Sequence, residues 1–114
     1  MFLGTGLFAI NRLLMRTLFS LEAQGIEQIP LQGPCVLTPN HTSLLDPSAV
    51  MAALPTGSLN RTYWGGWTGI MFRNAVMRLV SRAVQVLPID QNSRPLANIA
   101  LGAAALASGH RLVW

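Results

Sequence analysis

Short apolar segments alternate along this chain with segments of helical periodicity, and glycine and proline residues separate the two kinds. Such alternation is typical of an α/β domain, in which helices connect the strands of a largely parallel sheet. The alanine-rich segment 95–107, for example, predicts a helix that ends before Gly109. The predicted helices are 2–21, 46–54, 69–83 and 95–107; the predicted strands are 35–38, 61–64 (broken by Gly65 and Gly66), 84–89 and 111–114, with 21–24 as a further candidate.

The chain is poor in charge for a free-standing soluble domain. Its 114 residues suffice for one modest domain, and 11% of them are charged, against about 25% on average. All eight basic residues are arginines, and the net charge of +4 favours an anionic partner, either a lipid surface or a phosphorylated substrate. Because the arginines are scattered, the pattern argues against nucleic acid. The one cysteine, Cys35, excludes an internal disulfide and fits a reducing compartment.

The N-terminal segment, residues 1–21, is predicted to form an amphipathic helix that lies in the membrane interface. Apolar residues recur in it at three- and four-residue spacing, and Arg12 and Arg16 share one face, where they are expected to meet lipid headgroups. The same periodicity suits a helix that packs at the edge of the core, so that alternative stays open. Its longest uncharged run falls well short of the ~20 residues that a membrane span needs.

The most specific local pattern is Asn-His-Thr-Ser-Leu-Leu-Asp-Pro at residues 40–47, between a predicted strand and a predicted helix. Loops at strand ends are where ligands usually lie in α/β sheets. A neutral imidazole serves as a base or an acid because its pKa is near ~6.5, and a carboxylate beside it fixes its tautomer. His41 and Asp46 suit these two roles. The structural alternative is that Asp46 is the N-cap of the helix and His41 bonds a backbone carbonyl.

With its flanks, this pattern resembles the first sequence block of the lysophospholipid acyltransferase family, which includes 1-acylglycerol-3-phosphate acyltransferases. The block follows a Gly-Pro pair and an apolar strand, with Gly25-Ile26-Glu27-Gln28-Ile29-Pro30 upstream. The resemblance implies a glycerolipid acyltransferase-like α/β fold, a mixed sheet flanked by helices. In the family's HxxxxD motif the histidine is the general base and the aspartate orients it, which implies these roles for His41 and Asp46.

The resemblance further implies acyl transfer from acyl-CoA or acyl-carrier protein to a lysophospholipid or glycerol-phosphate hydroxyl, as in phospholipid biosynthesis. We expect a membrane-associated protein at the cytoplasmic face, with no metal and no cofactor beyond the acyl donor. The histidine would take the hydroxyl proton and then protonate the departing thiolate.

Acceptor binding is predicted at Thr42, Ser43, Trp64 and Arg94. Trp64 also suits the lipid interface or the core, and these alternatives stay open. The family has an arginine shortly after a strand such as 84–89, where this chain has Gln91 and, slightly later, Arg94. The family's third block, Pro-Glu-Gly, is absent, so residues 22–114 are predicted to be a partial domain, truncated after the strand that ends at Trp114.

Two other functions stay open on the sequence alone. The chain suits a non-catalytic membrane-binding module that uses the first helix and its arginines. It also suits an inactive fragment, in which the strand at 111–114 would leave an unpaired edge on the sheet.

Overall fold

The computed structural model describes residues 2–30, 32–40, 45–90 and 95–114, which form a parallel sheet with helices on both faces. This architecture confirms the predicted α/β fold. The helices are α1 (Phe2–Leu18), α2 (Asp46–Ala53), α3 (Thr68–Met71), α4 (Ala75–Ala83) and α5 (Pro95–Ala107); the strands are β1 (Cys35–Leu37), β2 (Thr62–Trp67), β3 (Val86–Ile89) and β4 (Arg111–Val113); two short 3-10 helices span Ile26–Gln28 and Thr56–Arg61.

The strand order in the described part of the sheet is β1-β4-β2-β3, and every pairing is parallel. β4 pairs on both sides, because Leu112 lies opposite Val36 of β1 and opposite Tyr63 of β2. All three residues of β4 are buried. The prediction that this strand would be an unpaired edge is therefore wrong. β1 and β2 leave one strand position open between them, and β4 returns from α5 to fill it.

Helices α1, α2 and α4 pack on one face of the sheet, and α5 packs on the other. Neighbouring side chains on β4 point to opposite faces, as they do in any strand. Val113 joins the core beneath α1, whereas Leu112 packs against Gly102 of α5. The core cluster on the first face consists of Phe8, Leu54, Leu59, Trp64, Val84 and Val113.

Several boundaries lie where local signals predicted them. α5 spans the predicted residues, and Gly109 follows it with a φ of +82°, a left-handed conformation that glycine adopts without a steric penalty. β1 and α2 begin at the predicted residues. Two predictions near the N-terminus were wrong: α1 ends at Leu18, and residues 21–24 are not a strand.

The segment from β2 to α4 differs from the prediction in two ways. β2 continues through Gly65 and Gly66, because a residue without a side chain lets neighbouring chains approach closely. A Cβ on Gly66 would lie 2.4 Å from Cγ1 of Val86 on β3. The helix predicted over 69–83 is divided into α3 and α4, since the Asn74 side chain accepts a hydrogen bond from Met77 N at 2.8 Å and caps α4.

Candidate active site

The strands all end at the same edge of the sheet, called here the carboxyl edge and marked by Leu37, Trp67, Ile89 and Val113. Parallel α/β sheets carry their ligand sites at this edge. The segment after β1 contains the predicted base His41 with Thr42 and Ser43, and the segment after β3 contains Arg94. These four residues lie outside the described part of the chain, so their predicted roles stay predictions. β1 and β3 themselves end at the carboxyl edge, at Leu37 and Ile89.

Asp46 is the first residue of α2, and its side chain is half-buried. The N-cap residue is Leu45, because Ala49 N donates to Leu45 O at 3.0 Å and so closes the first helical turn. The alternative in which Asp46 is the N-cap is therefore wrong. A carboxylate in the first turn still interacts favourably with the positive end of the helix dipole. Asp46 thus lies in the first turn of α2, five residues after His41 in the sequence.

Two polar side chains of α1 donate hydrogen bonds to the two ends of α2. Neither hydrogen bond was predicted from the sequence. Asn11 Nδ2 donates to Ser48 O at 2.9 Å, in the first turn of α2. Arg12 Nη2 donates to the carbonyl oxygen of Leu54, the C-cap residue. The prediction that Arg12 faces lipid headgroups is therefore wrong, because its half-buried side chain turns inward. Arg16, one turn later, is exposed.

Asn98 of α5 fixes the backbone at the end of β3. Its Nδ2 donates to Asp90 O at 2.8 Å, and its Oδ1 accepts from Asp90 N at 3.2 Å. Both backbone groups of Asp90 are thus held by one amide side chain, just before the segment that carries Arg94. An asparagine inside an otherwise apolar, alanine-rich helix was the available sequence signal for this contact.

Trp64 lies in the core, with 4% of its surface exposed, and its buried indole nitrogen has no hydrogen-bond partner among the described residues. This placement favours the packing alternative over the acceptor pocket, since a ligand would reach the ring only if the core opened. The adjacent Tyr63 points to the opposite face, where its ring meets the His110 ring edge-on, with 5.1 Å between centroids. Trp67, at the carboxyl edge, is 38% exposed.

β1 and β3, which precede the predicted base and the predicted acceptor arginine in the sequence, are the two outer strands of the described sheet. β1 and β3 are separated by β4 and β2, so their ends are three strand spacings apart, about 14 Å. A ligand that reaches the carboxyl ends of both outer strands therefore has to lie across the ends of the two inner strands. This separation depends on strand order, which the sequence did not predict.

Two shallow cavities lie towards the amino ends of the strands, away from the carboxyl edge. One, of about 220 Å³, lies beneath α5, and the other, of about 460 Å³, lies beside the starts of β1 and β2. Their positions connect neither of them to Asp46. The first is lined by Tyr63, Leu87, Leu101, Ala104, Ala105, Ser108 and His110, and the second by Gln32, Pro55, Gly57, Ser58, Asn60 and Arg61.

The sequence model of the acyltransferase family matches residues 20–114. The chain belongs to the acyltransferase family. The match includes Asp46, all four described strands and α5, and it begins two residues after α1 ends. No solved structure gives a significant match to the chain.

The described ranges of this acyltransferase bear on metal ligation and on membrane crossing. Those ranges contain no group of three or more His, Cys, Asp or Glu side chains arranged to hold a metal ion. Within the same ranges, no helix is both long enough and apolar enough to cross a lipid bilayer.

Proposed function

We propose that this acyltransferase transfers a fatty acyl group from acyl-CoA or acyl-carrier protein to the hydroxyl of a lysophospholipid or glycerol phosphate. The observation that carries the proposal is the position of Asp46. It opens α2 at the carboxyl edge of an acyltransferase-family sheet, five residues after His41 in an HxxxxD motif. The reaction would serve phospholipid synthesis at the cytoplasmic face of a membrane.

In the proposed mechanism, His41 takes the proton from the acceptor hydroxyl as that oxygen attacks the thioester carbonyl carbon. The C–O bond forms, and the carbonyl oxygen carries the negative charge of the tetrahedral intermediate. When the carbonyl re-forms, the C–S bond breaks and the imidazolium returns the proton to the departing thiolate. Asp46 would accept a hydrogen bond from the other ring nitrogen, which holds the reactive tautomer and stabilises the imidazolium. The acceptor itself is the nucleophile, so no acyl-enzyme forms.

For the acceptor, we propose contacts from the segments that follow β1 and β3. Thr42 and Ser43 supply hydroxyl groups beside His41, and Arg94 supplies a guanidinium, which forks two donors towards phosphate oxygens. The Asn98 amide supports this assignment because it fixes the backbone where the Arg94 segment begins. The excess of positive charge, +4 over the chain, favours a phosphorylated acceptor.

For membrane association, the support comes from the outward face of α1. Phe8 and Met15 on the inward face are buried, while apolar side chains on the outward face meet solvent. An exposed apolar patch of this kind, with a cationic side chain such as Arg16 beside it, suits the headgroup region of an anionic bilayer. The outward side chains are Leu3, Ile10, Leu13, Leu14, Leu18 and Phe19, with exposures between 47% and 70%.

The test compares two histidine variants of the protein expressed from its complete reading frame. His41→Ala should lower acceptor-dependent thiol release from acyl-CoA by about 10²–10⁴-fold, the range expected for loss of a general base. His110→Ala is the matched control, because His110 precedes β4 at the opposite end of the sheet. If His41→Ala released thiol at the rate of the unsubstituted protein, the proposed mechanism would be wrong. Equal release with and without acceptor would indicate a thioester hydrolase instead.

A second candidate function is a membrane-binding module without catalysis, which the outward face of α1 favours. It predicts that the protein co-sediments with anionic phosphatidylserine vesicles and that His41→Ala leaves this binding unchanged. Leu14→Gln or Arg16→Gln should weaken the binding. Vesicle binding without acceptor-dependent thiol release would support this function over the enzyme. If the protein failed to co-sediment at low salt, the membrane-binding function would be wrong.

A further inference from the structure

Helix α1 is hydrogen-bonded to α2, the helix that begins with Asp46. We propose that Asn11 and Arg12 are positioning residues for the Asp46 carboxylate. The inference rests on the proposed acyl transfer and adds to it a function for α1. In this arrangement α1 is both a candidate lipid-facing helix and the support that sets the direction of α2. It precedes the segment that matches the family model, so the match itself does not imply the contact.

The first contact holds the start of α2. Ser48 is two residues after Asp46, so the hydrogen bond from Asn11 Nδ2 to Ser48 O acts on the same helical turn as the carboxylate. Asn11 is half-buried in the middle of an apolar helix, where asparagine is a mediocre helix former. Its amide is therefore better explained by the contact with α2 than by the stability of α1.

The second contact holds the end of α2. The last carbonyl groups of a helix lack partners within the helix, and a cation close to them is favourable. Arg12 supplies both a donor and a positive charge to Leu54 O. Leu54 is 1% exposed, so water cannot readily replace the guanidinium there. The bonds from Asn11 and Arg12 therefore fix two points of α2, separated by nearly its whole length.

A short helix depends on such support. α2 has eight residues, fewer than an isolated helix needs to be stable in water. Its direction is therefore set by its neighbours, of which α1 is the principal one among the described elements. α1 is itself held in place, because Phe8 joins the core cluster and Gly4 packs against the carbonyl of Ala83. A change in the bonds between α1 and α2 would thus be transmitted to Asp46.

The test measures acyl transfer to a detergent-dispersed lysophospholipid, using the protein expressed from its complete reading frame. Misplacement of a catalytic group by about 1 Å can cost 10²-fold, so the double variant Asn11→Ala with Arg12→Ala should lower kcat by about 10–100-fold. KM for the thioester donor should stay within about twofold, because the donor is not proposed to contact α1. Kinetics are compared at temperatures where circular dichroism shows each variant to be folded.

Conservative variants separate hydrogen bonding from packing. Asn11→Asp keeps the side-chain volume but turns an acceptor towards Ser48 O, so it should lower kcat as much as Asn11→Ala does. Arg12→Lys retains one cationic donor and should recover part of the activity that Arg12→Ala loses. Ser108→Ala is the control, since it also removes one hydrogen bond from a side chain to a backbone carbonyl, from the residue after α5 to Ala104 O. Its kcat should be unchanged.

A double-mutant cycle with Asp46→Asn decides whether the effect passes through the carboxylate. If Asn11 and Arg12 act by positioning Asp46, their substitution should lower kcat much less in the Asp46→Asn background than in the unsubstituted protein. An equal loss in both backgrounds would indicate a general structural role and would overturn the inference. If the protein is active and His41 is essential but the double variant keeps its kcat, this inference alone fails. If the unsubstituted protein transfers no acyl group, the proposed function fails and the inference falls with it.

Discussion

Two glycines of α1 allow the packing of this helix against α4 to be tested directly. A Cβ on Gly4 would lie 2.4 Å from the carbonyl oxygen of Ala83, a backbone atom that cannot rotate away. A Cβ on Gly6 would meet no atom of the described part of the chain within 4 Å. Gly4→Ala and Gly6→Ala therefore add the same methyl group to the same helix, once against α4 and once into open space.

The expected difference follows from two terms. Replacing glycine by alanine inside a helix stabilises it by about 0.8–1.0 kcal/mol, and this gain is shared by both variants. Overpacking at Gly4 costs typically about 1–3 kcal/mol, because α1 or α4 has to shift. Gly6→Ala should therefore raise the free energy of unfolding by up to about 1 kcal/mol. Gly4→Ala should be less stable than Gly6→Ala by about 1–3 kcal/mol.

Urea unfolding followed by tryptophan fluorescence measures the difference, and thermal unfolding should reproduce it as a gap of about 4 °C per kcal/mol. Equal stabilisation of the two variants would refute the reasoning, because it would mean that α1 does not pack against α4. That outcome would also remove one of the two contacts that hold α1 in place, the other being that of Phe8 with the core cluster. An unchanged denaturant slope in both variants is required for the comparison, since a changed slope would signal an altered unfolded state or an intermediate.

Two further predictions concern stability. Asn74→Ala should lower the free energy of unfolding, measured by urea titration, by about 1 kcal/mol, because α4 loses its cap. The control is Asn60→Ala, which alters an exposed asparagine and should change the free energy of unfolding by less than about 0.5 kcal/mol. The buried guanidinium of Arg111 donates a hydrogen bond to Pro30 O, but its Nε and Nη1 have no partner among the described residues. Arg111→Met should therefore lower the free energy of unfolding by no more than about 1 kcal/mol, or raise it. A loss above about 3 kcal/mol for Arg111→Met would contradict this explanation.

α1 emerges as the element whose two faces have different proposed tasks. Its outward face carries the exposed apolar side chains and Arg16, and its inward face carries Phe8 with the donors Asn11 and Arg12. The sequence offered a membrane-interface helix and a core-packing helix as alternatives for this segment. The structure supports the packing alternative for the inward face and leaves the outward face available to lipid.

The sequence alone determined the features that depend on neighbouring residues. The alanine-rich composition of residues 95–107 predicted α5, the Asp46-Pro47 pair predicted the start of α2, and Gly109 predicted the end of α5. The pattern at residues 40–47 identified the family, which the match over residues 20–114 confirms. These signals act within a few residues along the chain, through backbone preferences and local hydrogen bonds, so they can be read without the fold.

The tertiary structure decided what depends on residues far apart in the chain. The inner position of β4, the burial of Trp64 and the inward turn of Arg12 all required knowing which elements become neighbours. An apolar strand has the same sequence character at an edge or inside a sheet, and an arginine in an amphipathic helix suits lipid headgroups as well as a carbonyl oxygen. Long-range packing chooses between such alternatives, because burial and hydrogen-bond satisfaction are properties of the assembled core.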